Sequence, residues 1–265
     1  MIAGGTDLLL EIQQGVQPPP ESLVDVCNIP ELNSLEIRGK ELFIGAAVPL
    51  NHIVVSHLVQ ENAQALVEAC NLIGGPQVRN TATLGGNVAH ALPAADGTIA
   101  LLALDAQVES VSIEGTRTFA LEELFIGPRR SMIEANRELL VGFYLPLRKK
   151  NQASAFRRVM RPQGVALPVL NIAVWLQRNK DRIADAHLAL GPSGPTPLRA
   201  RMAENVLRGE KITQILIEKV HKVLLEEVYL RTSPYRASAD YRRHLAKILL
   251  QDAIEIAWER AGLDY

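Results

Sequence analysis

The chain is poor in cysteine, in net charge and in long apolar runs, and each shortage removes a class of function. Only two cysteines occur in 265 residues, Cys27 and Cys70, far apart and without a CxxC. That argues against a disulfide framework, a zinc site or an iron–sulfur cluster built from this chain alone. Two buried thiols in a cytoplasmic protein are the expectation. Lysine and arginine number 28 against 29 acids, a net charge of -1, so nothing electrostatic points to nucleic acid or an anionic membrane. No apolar stretch approaches the roughly 20 residues that cross a bilayer, so no membrane span is expected. The N-terminus lacks the basic segment, apolar core and cleavage site of a secretory signal. Internal repeats and low-complexity segments are absent too. What remains is ordinary for a globular protein, with 48% hydrophobic and 22% charged residues and length enough for two domains.

From Met1 to about Leu147, short apolar runs alternate with helical patterns. "ESLVDV", after Pro18, Pro19 and Pro20, reads as a short buried strand, and "KELFIGAAV" as a second. "ENAQALVEACNLIG" reads as a helix stopped by Gly74-Gly75-Pro76, and "DGTIALLALDA" as a short apolar helix. "AQVESVSIEGTRTFA" reads as a hairpin turning at Glu114-Gly115. "PLRKKNQAS" then has a linker's composition. Beyond it, "LPVLNIAVWLQRN" and "DRIADAHLAL" form an expected antiparallel pair turning at Asn179-Lys180-Asp181. "GPSGPTPLRA" is too rich in proline and glycine to be regular. "ITQILIEKVHKVLLEEV" and "SADYRRHLAKILLQDAIEIAWERA" carry apolar residues at helical spacing.

Two glycine loops carry the chemistry. "MIAGGTDLLLEI" places Gly4, Gly5, Thr6 and Asp7 between a strand end and a helix start, and "RNTATLGGNVAHALPAAD" repeats the theme with Thr83, Gly85, Gly86 and Asn87. Glycine allows positive φ and lets several N–H groups converge on one anion. Threonine and asparagine add donors without charge. Two opposed loops of this kind could grip a diphosphate from both sides. Asp7 would complement the positive end of its helix or accept a bond from a ligand hydroxyl. Neither loop fits GxGxxG or GxxxxGK[ST], so the Rossmann and P-loop readings lose their main support.

"IAGGTDLL", "GGPQVRNTATLGGN", "PAADGTIALLALDA", "FRRVMRPQGVALP", "GPTPLRARMAE" and "SPYRASADYRRHLAKILL" together resemble the FAD-binding (medium) subunit of the xanthine dehydrogenase, or molybdenum hydroxylase, family, over nearly the whole chain. The resemblance implies an α+β fold in two units. The first, residues 1–148, is an FAD-binding PCMH-type (vanillyl-alcohol-oxidase-like) domain lacking its first strand–helix–strand. The second, 153–262, is a CO-dehydrogenase-flavoprotein-like domain of three antiparallel strands with helices. It assigns Ile2, Ala3, Gly4, Gly5, Thr6 and Asp7, with Thr83, Leu84, Gly85, Gly86 and Asn87, to the pyrophosphate loops. Asp96 falls beside the ribityl or phosphate region, Ile73 where animal members hold an aromatic near the isoalloxazine, Leu140 on a strand approaching the flavin, and Arg157 where relatives have a lysine contacting FAD.

The implied activity is oxidoreductase chemistry within a heterotrimer of purine catabolism. A large subunit would hold molybdopterin, a small one two [2Fe–2S] clusters, and FAD on this chain would pass electrons as hydride to NAD⁺, with oxygen and a quinone as the alternative acceptors. No residue is assigned to acid–base catalysis. Members carry about thirty residues before the first loop, a βαβ-sized unit, so the expectation is weak FAD binding by this chain alone. A flavin-deficient assembly subunit, an FAD subunit of a related aldehyde, nicotinate or carbon monoxide dehydrogenase, and a stand-alone flavoprotein oxidase are the rival readings. His52 and His57, five apart, do not align for a metal, and His90 reads as structural or cofactor-facing. "RTSPYRASADYRRHL" reads either as a helix start capped near Ser238 or Asp240 or as a docking surface.

Overall fold

A computed structural model describes residues 1–161 and 167–263; part of "FRRVMRPQGVALP" therefore lies outside the described residues. The first unit runs α1 (Thr6–Gln13), β1 (Leu35–Arg38), β2 (Glu41–Gly45), α2 (Leu50–Val55), α3 (His57–Asn62), α4 (Gln64–Leu72), α5 (Pro76–Arg79), α6 (Leu84–Ala89) and α7 (Asp96–Ala103). It continues with β3 (Gln107–Ser112), β4 (Gly115–Ala120), β5 (Phe125–Gly127), β6 (Arg130–Ser131) and β7 (Glu138–Pro146). The second unit has β8 (Gln152–Met160), β9 (Pro168–Asn179), β10 (Arg182–Gly191), β11 (Leu198–Arg199), α8 (Arg201–Leu207), α9 (Gln214–Glu227) and α10 (Ala239–Ala261).

Five strands in the order β1-β2-β7-β3-β4 form an antiparallel sheet. The late strand β7 sits at its centre, Phe143 opposite Ile44 on one side and Val108 on the other. Gly142 is required there, because a Cβ would stand 2.5 Å from the Phe43 ring. Helices α2, α4, α6 and α7 pack the core of Leu42, Ile44, Leu66, Leu84, Ile99 and Phe143.

The second sheet, β11-β10-β9-β8, lies between two cores. Side chains of a strand alternate across its faces. Phe156, Ala173 and Ala189 therefore join the first unit's core, while Ala155, Ile172, Val174, Leu188 and Leu190 join a second core under α8, α9 and α10. The two-residue β11 adds a fourth strand to the expected three, and it arises inside the proline-rich "GPSGPTPLRA" by pairing Leu198 with Leu190.

Both expected hairpins form. The turn between β9 and β10 uses Lys180 at φ 57°, and β3 and β4 pair from Ser112 and Gly115. Three expectations need correction. "ESLVDV" is no buried strand: residues 21–25 are exposed and only a parallel bridge joins Ile2 to Asp25, so the ladder is too short to bury its side chains. "ENAQALVEACNLIG" is split at Ala63, whose φ of -143° breaks the helical path between α3 and α4. Cys70 is buried but Cys27 is only partly so, and both are free. No helix among the described residues is long and apolar enough to cross a membrane.

Candidate dinucleotide site

The first loop is built by one glycine in a left-handed conformation. Gly5, at φ 66°, is the N-cap of α1 and turns the chain from the Ile2 bridge into the helix. Among the described residues, no acceptor takes a hydrogen bond from the N–H groups of Gly4, Gly5, Thr6 or Asp7. Unpaired amides at a helix start, all four from residues that are half-buried or exposed, are an anion-binding arrangement.

The second loop differs in kind. Thr83 caps α6, its Oγ1 accepting from Gly86 N–H at 3.1 Å. Leu84 N–H donates to the Val48 carbonyl at 3.2 Å, Gly85 N–H to that of Ala46 at 2.8 Å, and Asn87 N–H to that of Thr83 at 3.0 Å. Its amides are thus already used. Gly85 is a packing glycine, since a Cβ there would meet Ala46 at 2.6 Å. What the loop presents to solvent is exposed Gly86 and half-buried Asn87, whose Oδ1 is buried without a partner.

The two loops touch. A Cβ on Gly4 would lie 2.1 Å from the Thr81 carbonyl oxygen, so bare backbone is needed where the chains meet. Farther along, His90, just past α6, reaches Asp7 through Nδ1 at 3.2 Å and Glu11 through Nε2 at 3.5 Å. Arg129 pairs with Glu11. The His90 hydrogen bond, ahead of the opposing effect of burial, holds the Asp7 carboxyl below its ordinary value. His90 is therefore a strut between the loops' helices, one of the two roles open to it in the sequence.

Asn87 leads to Asp96. A Cβ on Gly97 would stand 2.7 Å from Asn87 Oδ1, which brings the start of α7 against α6. Asp96 is buried and fully engaged: Arg158 donates to Oδ2, and Asn171 Nδ2 donates to Oδ1 at 2.6 Å. Arg158 also donates to the Leu72 carbonyl, one residue before Ile73. Burial pushes the Asp96 carboxyl up, against the opposing pull of Arg158 and Asn171. Burial, with the Asp96 charge adding to it, also raises the Cys70 thiol. A neutral, inert thiol results.

An arc of Ala3–Asp7, Gly86, Asn87, Asp96 and Ile73 is thus continuous through contacts. Leu140 lies beneath, in the core that also holds Leu84. Arg157 stands apart, 3.6 Å from Glu68 on the other side of β8. Its neighbour Arg158 is the residue that meets Asp96, and sequence reading missed it together with Asn171. Alternation along β8 puts Arg158 on the face of buried Phe156 and Arg157 on the other. His52 and His57 are both exposed.

A dinucleotide's diphosphate fits this arrangement, with unpaired amides on one side and a glycine and an asparagine on the other. A hollow of about 930 Å³ elsewhere, lined by Asn62, Lys149, Trp175 and Arg260 among others, borders none of these residues.

Comparison with known proteins gives the arrangement its setting. Residues 1–148 match the family of FAD binding domains in molybdopterin dehydrogenases, and residues 154–257 match the CO dehydrogenase flavoprotein C-terminal domain. The chain is 29% identical to the xanthine dehydrogenase FAD-binding subunit of Escherichia coli O157:H7, over 99% of this chain and 89% of the relative. It is 31% identical to the nicotine 6-hydroxylase medium subunit of Paenarthrobacter nicotinovorans, over 98% and 90%. Among solved structures, carbon monoxide dehydrogenase from Hydrogenophaga pseudoflava superposes with a TM-score of 0.92 at 28% identity, covering 98% of this chain and 89% of that one. The chain belongs to the family of FAD-binding subunits of molybdenum hydroxylases, with the α+β fold of that family's medium chains.

Proposed function

We propose that this chain is the FAD subunit of a xanthine dehydrogenase, with an FAD-binding unit over residues 1–148 and a flavoprotein C-terminal unit over 153–262. The meeting of Gly4 with Thr81, beside a run of unpaired amides, is the observation that carries the reading. The N–H groups of Gly4 to Asp7 hold the diphosphate, and Gly86 and Asn87, set on Thr83, Leu84 and Gly85, wall it from the other side. Ile2 and Ala3 set the loop's entry. Asp96, held by Arg158, borders the ribityl and phosphate region. Ile73 covers a flavin face, Leu140 supports the strand behind it, and Arg157 adds positive charge at the rim.

FAD held by these residues would supply redox chemistry between the [2Fe–2S] clusters of a small partner subunit and NAD⁺. This chain's residues bind, orient and desolvate; none is needed as a proton donor. Substrate hydroxylation would fall to a molybdopterin-bearing large subunit, in the cytoplasm.

"GVALPVLNIAVWL" and "RTSPYRASADYRRHL" favour the xanthine branch, as does the Escherichia coli relative. Relatives named for carbon monoxide and nicotine are about as similar, so the substrate is decided by experiment. Co-purification from the native source should yield two further subunits and FAD, and NAD⁺ should be reduced with purines and not with aldehydes. Reduction with aldehydes alone would reject the xanthine assignment. A complex without flavin would reject the FAD role.

A further inference from the structure

The segment running from α9 into the first turn of α10 gathers positive charge, with Arg231, Arg236 and Arg242. The chain doubles back there: Ser233 N–H donates to the Ala237 carbonyl at 2.9 Å, and Arg236 N–H to that of Ser233 at 3.2 Å. Thr232 Oγ1 accepts from Ala239 N–H at 3.0 Å, and Ser238 Oγ from Tyr241 N–H at 3.2 Å. The turn is thereby pinned to the first turn of the 23-residue α10.

This folding brings Arg231, Arg236 and Arg242 within electrostatic range of one another. They form a gradient of burial: Arg231 is exposed, Arg236 half-buried, and Arg242 only 2% exposed. Asp240, the acid nearest in sequence, is spent on Arg243 at 2.6 Å. Among the described residues, Arg242 Nε is buried with no acceptor, and no carboxylate acts on Arg236 or Arg242.

A buried cation without a partner is costly. The positive end of the α10 dipole adds to that cost. Burial first, then Arg236 and Arg231, weakens Arg242's hold on its proton. An anion would relieve every one of these terms. A single carboxylate balances one guanidinium; a phosphate dianion balances two, and its tetrahedral oxygens accept from several planar forks at once.

We propose that Arg231, Arg236 and Arg242 form a binding site for the phosphate group of a small molecule, with Arg242 at its floor and Arg231 at its mouth. Tyr235 and Tyr241, on the same segment, are exposed. Arg161, just past β8, donates to the Tyr235 carbonyl and ties the rim to the strand that carries Arg158. The proposal does not rest on the flavin reading and is tested on flavin-free protein.

The probe is inorganic phosphate, titrated into the full chain against sodium chloride of equal ionic strength, with the melting temperature and calorimetric heat as readouts. The expected result is a saturable rise in melting temperature that chloride does not reproduce. Arg236→Gln, at a half-buried position, and Arg231→Gln, at an exposed one, should each weaken the phosphate Kd about tenfold or more. Arg137→Gln, on a remote and exposed arginine, should leave it unchanged. Three results would overturn the proposal: equal effects of phosphate and chloride, an unaltered Kd in both cluster variants, or binding of a polyglutamate peptide without binding of phosphate. The last would assign the cluster to a protein partner.

Discussion

Arg158 is the residue on which the candidate site turns. Its side chain is 3% exposed and joins Asp96 of α7 to the end of α4. Replacing it with methionine leaves a buried carboxylate uncompensated, so Arg158→Met should cost about 3–5 kcal/mol in urea unfolding. A loss under about 1 kcal/mol would mean that Asp96 finds other partners. Glu138 offers a pH test. Arg117 donates to its two oxygens at 2.6 and 2.8 Å, and Ser110 Oγ donates at 2.6 Å. The Arg117 hydrogen bond, acting first and against burial, holds this carboxyl below its ordinary value of 4.5. The unfolded chain therefore binds the proton more readily. The stabilisation is fully present above pH 4.5 and is lost as pH falls through the lower folded value. Glu138→Gln should flatten the stability curve in that acid range and leave its shape near neutrality unchanged; an unaltered acid limb would refute the assignment. The choice of Arg157 over Arg158 shows what one sequence withholds. Two adjacent arginines on a strand have the same composition and opposite faces, and only the partner Asp96, 62 positions away, distinguishes them.

At the scale of elements, capping threonines fix both the second loop and the C-terminal helices. Thr83 accepts from Gly86 N–H, and Thr213 accepts from Leu216 N–H at 3.1 Å to start α9. Thr213→Ala should cost about 1 kcal/mol in thermal or urea unfolding, with flavin affinity unchanged. Thr83→Val should cost a similar amount and also weaken FAD binding, because it frees the loop that walls the site. Equal flavin affinity in both variants would remove the second loop from the site. Elements with strong local signals were legible: β9 and β10 with their Asn179–Asp181 turn, the β3–β4 hairpin, α9, and α10 with its Ser238 cap. Those resting on tertiary pairing were not. "ESLVDV" has a strand's composition but only one bridging partner, and β11 is a strand because β10 lies beside it. The break at Ala63 carries no glycine or proline to announce it.

At the scale of the molecule, Glu68 on α4 joins the two units. Phe156 N–H donates to its Oε2 at 2.8 Å, and Arg260 of α10 pairs with its Oε1. Arg260 also donates to the Ser154 carbonyl at 2.9 Å, and Ser154 Oγ accepts from Ala65 N–H at 3.0 Å. Glu68→Ala leaves the Phe156 N–H without its acceptor and Arg260 without its carboxylate, so it should cost about 2–4 kcal/mol in unfolding, roughly the sum of those two losses. A calorimetric transition that is single in the parent should broaden or split; an unchanged single transition would show that apolar packing alone holds the units together. The contact matters for function because Asp96 and Arg158, which border the proposed flavin, belong to different units. A crystal structure with FAD bound tests the dinucleotide site most directly. The diphosphate should lie within hydrogen-bond distance of the Gly4–Asp7 amides, facing Gly86 and Asn87. A dinucleotide lodged in the hollow lined by Lys149 and Arg260, with the glycine loops bare, would contradict it.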